Sequence, residues 1–332
     1  MKVLVLIITL ASVLFFDDSD FLVTFGLVPV VGSQKNSCVL DPYFITGFSD
    51  AEASFNIRIS LNKKYSVGWV VELSYQIGLH KKDKMLLEMI QSSLGGVGRI
   101  EEHEKDLIKL RVSISKDLAK IIAHFDKYQL ITQKLADYAL FKQAFKIVSR
   151  KEHLTLEGLQ KIVDIKASIN KGLSEKLKRD FPDTTPVARP SVKNQEIKDP
   201  KWLAGFVTGD GSFIVHLQKS LSHKIGYAVK LKFQITQHVR DIDLMNKLVE
   251  YLGCGVYKIR PNKSAGDFIV LGFSDISNKI IPFFNLHSIQ GAKSSDFADF
   301  CKVADIIIAN NHLTENGLEQ IKLIKSGMNS RR

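Results

Sequence analysis

The chain has 332 residues, 45% of them hydrophobic, enough for two domains that each bury a core. Lysine and arginine outnumber aspartate and glutamate by 46 to 35, a formal charge of +11. That surplus favours a polyanionic partner, because each neutralised phosphate releases condensed counterions, although an ordinary basic protein carries the same balance. Three cysteines, Cys38, Cys254 and Cys301, with no metal-ligand spacing among them, exclude a disulfide framework and a cysteine zinc site and fit a reducing or intracellular compartment.

The elements follow in chain order. An apolar run over 3–16 follows Lys2, is broken by Asp17, Asp18 and Asp20, and is succeeded by a second run over 21–31. Neither reaches the roughly 18–20 residues that cross a bilayer. The first has the look of a signal-peptide core without a clear cleavage site, or of coding sequence fused in frame upstream of the working protein. Residues 1–35 are therefore placed outside the fold. Asp41-Pro42 predicts a helix start, since aspartate caps well and proline is welcome in the first turn. A strand follows, with Phe55, Ile57, Ile59 and Leu61 on one face and Asn56, Arg58, Ser60 and Asn62 on the other. A second strand alternates Trp69, Val71, Leu73, Tyr75 and Ile77 with Val70, Glu72, Ser74, Gln76 and Gly78. The pattern then predicts a helix over 83–94, a strand over 108–114, and helices to about 170.

The same order returns. Residues 41–95 match 199–253 at a fixed offset of 158: Asp41-Pro42 with Asp199-Pro200, Gly47-Phe48 with Gly205-Phe206, Gln76-Ile77 with Gln234-Ile235, Asp83 with Asp241. The offset then becomes 159, pairing Phe125 with Phe284, Lys134 with Lys293, Asp137 with Asp296 and His153-Leu154-Thr155 with His312-Leu313-Thr314. The single slip is expected in a Gly-rich turn. A period this long makes each unit a whole domain rather than a solenoid repeat. The second half has strands near 212–219, 227–236 and 268–274. The reading is an α+β fold of two pseudo-symmetric αββαββα-type domains, 36–172 and 199–332. They are joined by 173–198, whose prolines at 182, 186 and 190 and many charges suit an exposed, stiff linker.

The first helix of each half carries the chemistry. Gly47 with Ala51, and Gly205 with Gly209, recur four positions apart and so share a helix face on which two backbones can approach closely. Glu52 and Asp210 follow one residue later, so packing these helices side by side brings two carboxylates to one end of the contact. Two anions at close range, at helix C-termini, call for a cation between them. Oxygen ligands that leave room for water and phosphate suit Mg²⁺. Such a site activates water and stabilises the leaving oxygen of a phosphodiester.

Segments 45–53 and 203–211, the second reading Leu-Ala-Gly-Phe-Val-Thr-Gly-Asp-Gly, resemble the paired signature of the LAGLIDADG homing endonucleases in their two-repeat monomeric form, and the likeness covers 41–332. The resemblance implies that the signature helices form the inter-domain core. It also implies that Glu52 and Asp210 bind divalent metal, Mg²⁺ or Mn²⁺, helped by the carbonyls of Ala51 and Gly209. Lys134 and Lys293 fit the place of a family lysine near each active site, where an ammonium orients water or shields phosphate charge. Gln237 fits a family glutamine in the water network, whereas the first half has Leu79, an asymmetry that suggests unequal cutting of the two strands or a different solvent arrangement. Ala53 stands where the signature has glycine, and alanine is expected to crowd a left-handed turn there at a cost of about 1 kcal/mol.

The polar strand faces are the candidate base readers, on two antiparallel sheets forming a DNA-binding saddle. They are Asn56, Arg58, Ser60, Ser74, Gln76, Lys109 and Arg111 in the first half, and His216, Gln218, Lys230, Lys232, Gln234 and Thr236 in the second. Matched positions differ, Arg58 against His216 and Ser74 against Lys232, so the expected target is long, double-stranded and non-palindromic. The expected activity is site-specific, metal-dependent cleavage to staggered ends by a monomer, promoting intron mobility. The alternatives are an RNA maturase assisting splicing of its own intron, with intron RNA as partner, and a DNA-binding protein that has lost catalysis. The resemblance further implies a reading frame of a fungal mitochondrial intron, and hence a mitochondrial protein.

Overall fold

The computed structural model describes residues 39–103 and 105–329, so the apolar runs, Cys38 and the extension assigned to 1–35 lie outside the described residues. Asp41 accepts from the Tyr43 amide at 2.9 Å and caps α1 (Pro42–Glu52), with Pro42 in its first turn. The chain passes directly into β1 (Ala53–Leu61), which pairs antiparallel with β2 (Trp69–His80). After α2 (Lys84–Ser93), β3 (Arg99–Glu102) and β4 (Leu107–Val112) complete a four-stranded sheet of order β1-β2-β4-β3. Helices α3 (Ser115–Lys127), α4 (Lys134–Ser149) and α5 (Leu156–Ser168) cover its apolar face. Phe55 lies at the centre, with Tyr75, Phe125, Tyr138 and Phe141 around it at 5.4–5.6 Å between ring centroids.

The second half repeats the plan: α7 (Pro200–Asp210), β5 (Gly211–Lys219), β6 (Tyr227–His238), α8 (Ile242–Leu252), β7 (Val256–Ile259) and β8 (Ala265–Val270), in sheet order β5-β6-β8-β7. Phe213 takes the place of Phe55, among Phe233, Phe284, Phe297 and Phe300. The counterpart of α3 is a broken helix: α9 (Phe273–Asp275), a π-helical stretch Ile276–Ile280, and α10 (Ile281–Leu286). Helices α11 (Ala292–Ile308) and α12 (Glu315–Ser326) close the half.

Three sequence expectations are corrected. The strand expected at 108–114 ends at Val112, and the one expected at 268–274 runs Ala265–Val270, with helix from Phe273. The offset does not change once in the Gly-rich turn. Gly255 stands 157 residues after Gly98 and fills the same place, a Cβ at either meeting the carbonyl of the neighbouring strand, Arg111 or Ile269, at 2.4 and 2.9 Å. Val270 then pairs with Phe233 as Val112 does with Tyr75, back at 158, and the residue that takes the offset to 159 lies in the π-helical stretch. A π turn holds one extra residue inside a helix, and here it leads into α10, whose second residue, Pro282, has no amide to donate.

The connection between the halves is docked rather than exposed. It contains α6 (Glu175–Asp180); Phe181 packs on Trp69, Leu177 is buried, and Gln195 is only 3% exposed. Arg189 reaches Asp137 at 2.6 Å and the Gln133 carbonyl at 3.0 Å. The stretch is rich in charge and proline because its outer side faces water, while its few apolar and amide residues point inward. No helix among the described residues is long and apolar enough to cross a membrane.

Candidate active site at the paired helix ends

Helices α1 and α7 lie against each other with their glycines at the crossing. A Cβ on Gly47 would stand 1.9 Å from the Trp202 carbonyl oxygen, and one on Gly205 would stand 2.0 Å from that of Phe44. The backbones therefore touch where any side chain would hold them apart, which is why the small-residue face was legible in the sequence. At the far end of this contact a Cβ on Gly209 would meet the Ala51 Cβ at 2.4 Å and Glu52 Oε1 at 3.4 Å. Glu52 and Asp210 thus end up side by side, lining one cavity of about 710 Å³ together with Lys293 and Asp83.

Electrostatics of this end are strained. Burial and the neighbouring Glu52 carboxylate push Asp210 up to about 6, and burial also raises Glu52, opposed by Lys293 and Lys134. The Lys293 ammonium is driven down to about 8 by burial, and Lys134 is lowered for the same reason. Lys134 Nζ donates to the carbonyls of Ser49 and Ala51 at 2.8 and 3.1 Å; Lys293 Nζ donates to Val207 and Gly209 at 3.1 and 2.5 Å. The two carbonyls assigned to metal are therefore engaged by the lysines, each retaining a second lone pair. Gln237 Nε2 donates to Asp210 Oδ2. Leu79 has no such group and packs against the first core.

The expected cost at Ala53 is not met. Its φ and ψ are −80° and 159°, and those of Gly211 are −79° and 159°, extended backbone in both halves. What differs is the residue four earlier. A Cβ on Gly211 would stand 2.4 Å from Val207 Cγ1, whereas Ala53 faces the smaller Ser49, whose hydroxyl is bonded to Tyr75 at 2.7 Å.

Asp50 was not singled out from the sequence. It is 3% exposed and accepts from the Ile131 amide, the Thr132 hydroxyl and Trp202 Nε1 across the interface, at 3.0, 2.5 and 2.8 Å. Burial raises its pKa against these bonds. The equivalent Thr208 accepts from the Gln290 amide at 3.3 Å, so the two halves solve one task with different residues, and no repeat signal marks it.

The candidate readers lie on the open sheet faces. Asn56 stands opposite Ser74, Gln76 opposite Arg111, and Lys109 opposite Gly78; His216 stands opposite Lys230, with Lys232 and Gln234 following along β6. Arg58, His216, Gln218 and Lys230 are exposed, while Ser60, Lys232 and Thr236 are half-buried. Ser74 departs from the expectation: it is 4% exposed, and its hydroxyl accepts from the candidate reader Gln76 at 2.8 Å, so it braces that side chain rather than presenting itself. Gln234 and Thr236 both donate to Asp267, at 2.8 and 2.6 Å, and Asp267 is gripped by Arg260 at 2.6 Å. Arg260 was missed because the short strand β7 before it was not placed, and Asp267 because the strand that carries it was expected to begin only at 268. Glu72, paired with Arg58 at 3.5 Å and Arg111 at 3.6 Å, was missed as an acid among bases.

Two αββαββα halves, each offering an open polar sheet face and one acid to a shared pocket at abutting helices, define the class of two-repeat endonuclease folds. The LAGLIDADG endonuclease family model matches residues 45–145 and 203–304, and the chain belongs to that family. It is 43% identical over 88% of its length to "Probable intron-encoded endonuclease 3" of Neurospora crassa, and 39% identical over 92% to "Probable intron-encoded endonuclease 2" of the same organism. The matches span 55% and 73% of those relatives, so the chain covers little more than half of the first. Among solved structures it resembles the I-SmaMI LAGLIDADG homing endonuclease bound to cleaved DNA, with 48% identity, TM-score 0.87, and coverage of 88% of this chain and 98% of that one. It also resembles I-CpaMI bound to uncleaved DNA, with 46% identity, TM-score 0.84, and coverage of 88% and 100%.

Proposed function

We propose that this chain is a site-specific DNA endonuclease that acts as a single polypeptide and cuts both strands of a long, non-palindromic duplex with divalent metal. The carrying observation is the convergence of Glu52 and Asp210 in one pocket, Asp210 pushed up to about 6 by burial and by Glu52. Two carboxylates so placed repel each other until a cation arrives. Among the described residues no group of three or more acids, histidines or cysteines is placed so as to hold a metal ion by itself, so a metal here takes Glu52, Asp210, the second lone pairs of the Ala51 and Gly209 carbonyls, and the phosphate itself. That all-oxygen donor set, open to solvent, fits Mg²⁺, with Mn²⁺ as substitute. When bound, the metal supplies charge neutralisation and an activated water. Calcium accompanies one neighbour, I-SmaMI bound to uncleaved DNA.

The chain's own groups do the rest. Lys134 and Lys293 bring positive charge to the phosphate and orient water, and Gln237 orients Asp210. Asn56, Arg58, Ser60, Gln76, Lys109 and Arg111 read one half-site; His216, Gln218, Lys230, Lys232, Gln234 and Thr236 read the other. Relatives named as probable intron-encoded endonucleases, and an uncharacterized protein in ND4 intron 1 of Podospora anserina, support a role in intron mobility and a mitochondrial setting.

The test incubates the full chain with Mg²⁺ and a randomised duplex library and sequences the ends, beside Glu52→Gln, Asp210→Asn and a structured-RNA binding arm. Recurrent staggered ends from wild type alone are expected. Tight duplex binding without ends, or preference for the RNA, overturns the reading.

A further inference from the structure

Two matched aspartates outside the metal pocket's acid pair have a cross-domain task. Asp83 ends the short turn Lys81–Asp83 before α2, and Asp241 ends the equivalent turn Val239–Asp241 before α8. Each would ordinarily cap the helix that follows it, and neither does so through its side chain. Instead the Ala292 amide donates to Asp83 Oδ1 at 2.6 Å, and the Gln133 amide donates to Asp241 Oδ1 at 2.7 Å. Ala292 and Gln133 immediately precede Lys293 and Lys134.

We infer that Asp83 and Asp241 are reciprocal positioning residues, each half's aspartate holding the first turn of the helix that carries the other half's active-site lysine. The inference rests on the lysine roles proposed above. Neither α4 nor α11 has a side-chain cap from its own N-cap residue; the Lys134 amide donates to the Thr132 hydroxyl at 3.2 Å, and it is the Gln133 and Ala292 amides that take the cross-domain carboxylates as acceptors. A carboxylate there also complements the positive end of the helix. Gly291 fits the same purpose: its φ is +66°, and a Cβ on it would stand 2.5 Å from Asp83 Oδ1, so only glycine lets that carboxylate reach the helix. From these first turns the lysines extend to the carbonyls at the ends of α1 and α7, so a displaced helix start moves the ammonium off the pocket. Misplacing a reacting group by about 1 Å costs on the order of 100-fold in rate.

The two arms differ in rigidity. Asp241 is 1% exposed, and its Oδ1 also accepts from Gln195 of the connecting segment at 2.8 Å. Gln195 in turn holds the Ile131 carbonyl at 2.8 Å and the Leu244 amide at 3.3 Å. Among the described residues Asp83 has no such strap, and it borders the open pocket, which makes it the cleaner position to perturb.

The test uses the full chain and a labelled duplex carrying the site recovered from the library, and measures single-turnover rate, duplex affinity and thermal midpoint. Asp83→Ala is expected to slow cleavage about tenfold or more with duplex affinity unchanged. Asp83→Asn, which keeps an acceptor for the Ala292 amide, is expected to recover most of the rate. In a double-mutant cycle Asp83→Ala adds nothing in a Lys293→Met background and its full effect in a Lys134→Met background. Equal effects in both backgrounds, or a rate loss accompanied by equal loss of affinity, overturn the inference while the nuclease reading stands. Lysine variants that cut at the wild-type rate overturn the lysine roles and this inference together.

Discussion

Asp210 shows how the pocket stores an unfavourable charge. Its pKa in the folded chain is raised from 3.8 to about 6, so within that window the native state holds a proton the unfolded chain has released, and stability falls as pH rises. At neutral pH the ionised group opposes folding by on the order of 1–3 kcal/mol in the metal-free protein. Asp210→Asn is therefore expected to raise the metal-free thermal midpoint at about pH 7, with the gain shrinking toward about pH 4, while abolishing cleavage. Added divalent metal is expected to stabilise wild type and not the variant. A pH-independent gain would remove the strained pair. The two acids were legible in the sequence because the repeat matched them. Asp50 was not, because its counterpart Thr208 shares neither charge nor size, and only the folded contact with Trp202 Nε1 reveals its role. At Ala53 a rule about signature glycines misled, since the backbone is extended and the constraint comes from whether Ser49 or Val207 lies behind it.

Helices α1 and α7 are the element on which both acids depend. A methyl group on Gly205 would fall 2.0 Å from the Phe44 carbonyl oxygen and 2.9 Å from the Phe48 amide nitrogen, backbone atoms that no rotamer change can move. Gly205→Ala is expected to force the helices apart, destabilise the chain by at least about 1–3 kcal/mol, and lower cleavage more than duplex binding. Retention of both the wild-type midpoint and the wild-type rate would show that the helices do not need this closeness. The crossing was legible because small residues four apart leave a sequence mark. The strands β1 and β2 were legible from strict alternation. The short edge strands β3 and β7 were not placed, being four residues each with exposed flanks. The π-helical stretch was misplaced to a turn, since an inserted residue in a helix changes spacing without changing composition.

The two halves share one plan but not one site, and the differences fall around the acids. Asp210 has Gln237 at its carboxylate, while the first half offers only Leu79. Lys293 borders the open cavity, whereas Lys134 is more deeply enclosed, near the buried Asp50. Asp241 is braced by Gln195 from the docked connection; Asp83 has no equivalent brace from that segment. Each difference alters how firmly a carboxylate or ammonium is held, and rates depend steeply on such placement. For the proposed endonuclease, unequal cutting of the two strands is the expected outcome, with one strand nicked before the other. A supercoiled plasmid bearing one target site is expected to pass through a nicked circle that rises and decays before linear product accumulates. Gln237→Leu, which removes the group present in only one half, is expected to slow one strand selectively and change the lifetime of that circle. Linear product forming with no nicked precursor in wild type would show that the asymmetry around the acids does not reach the chemistry.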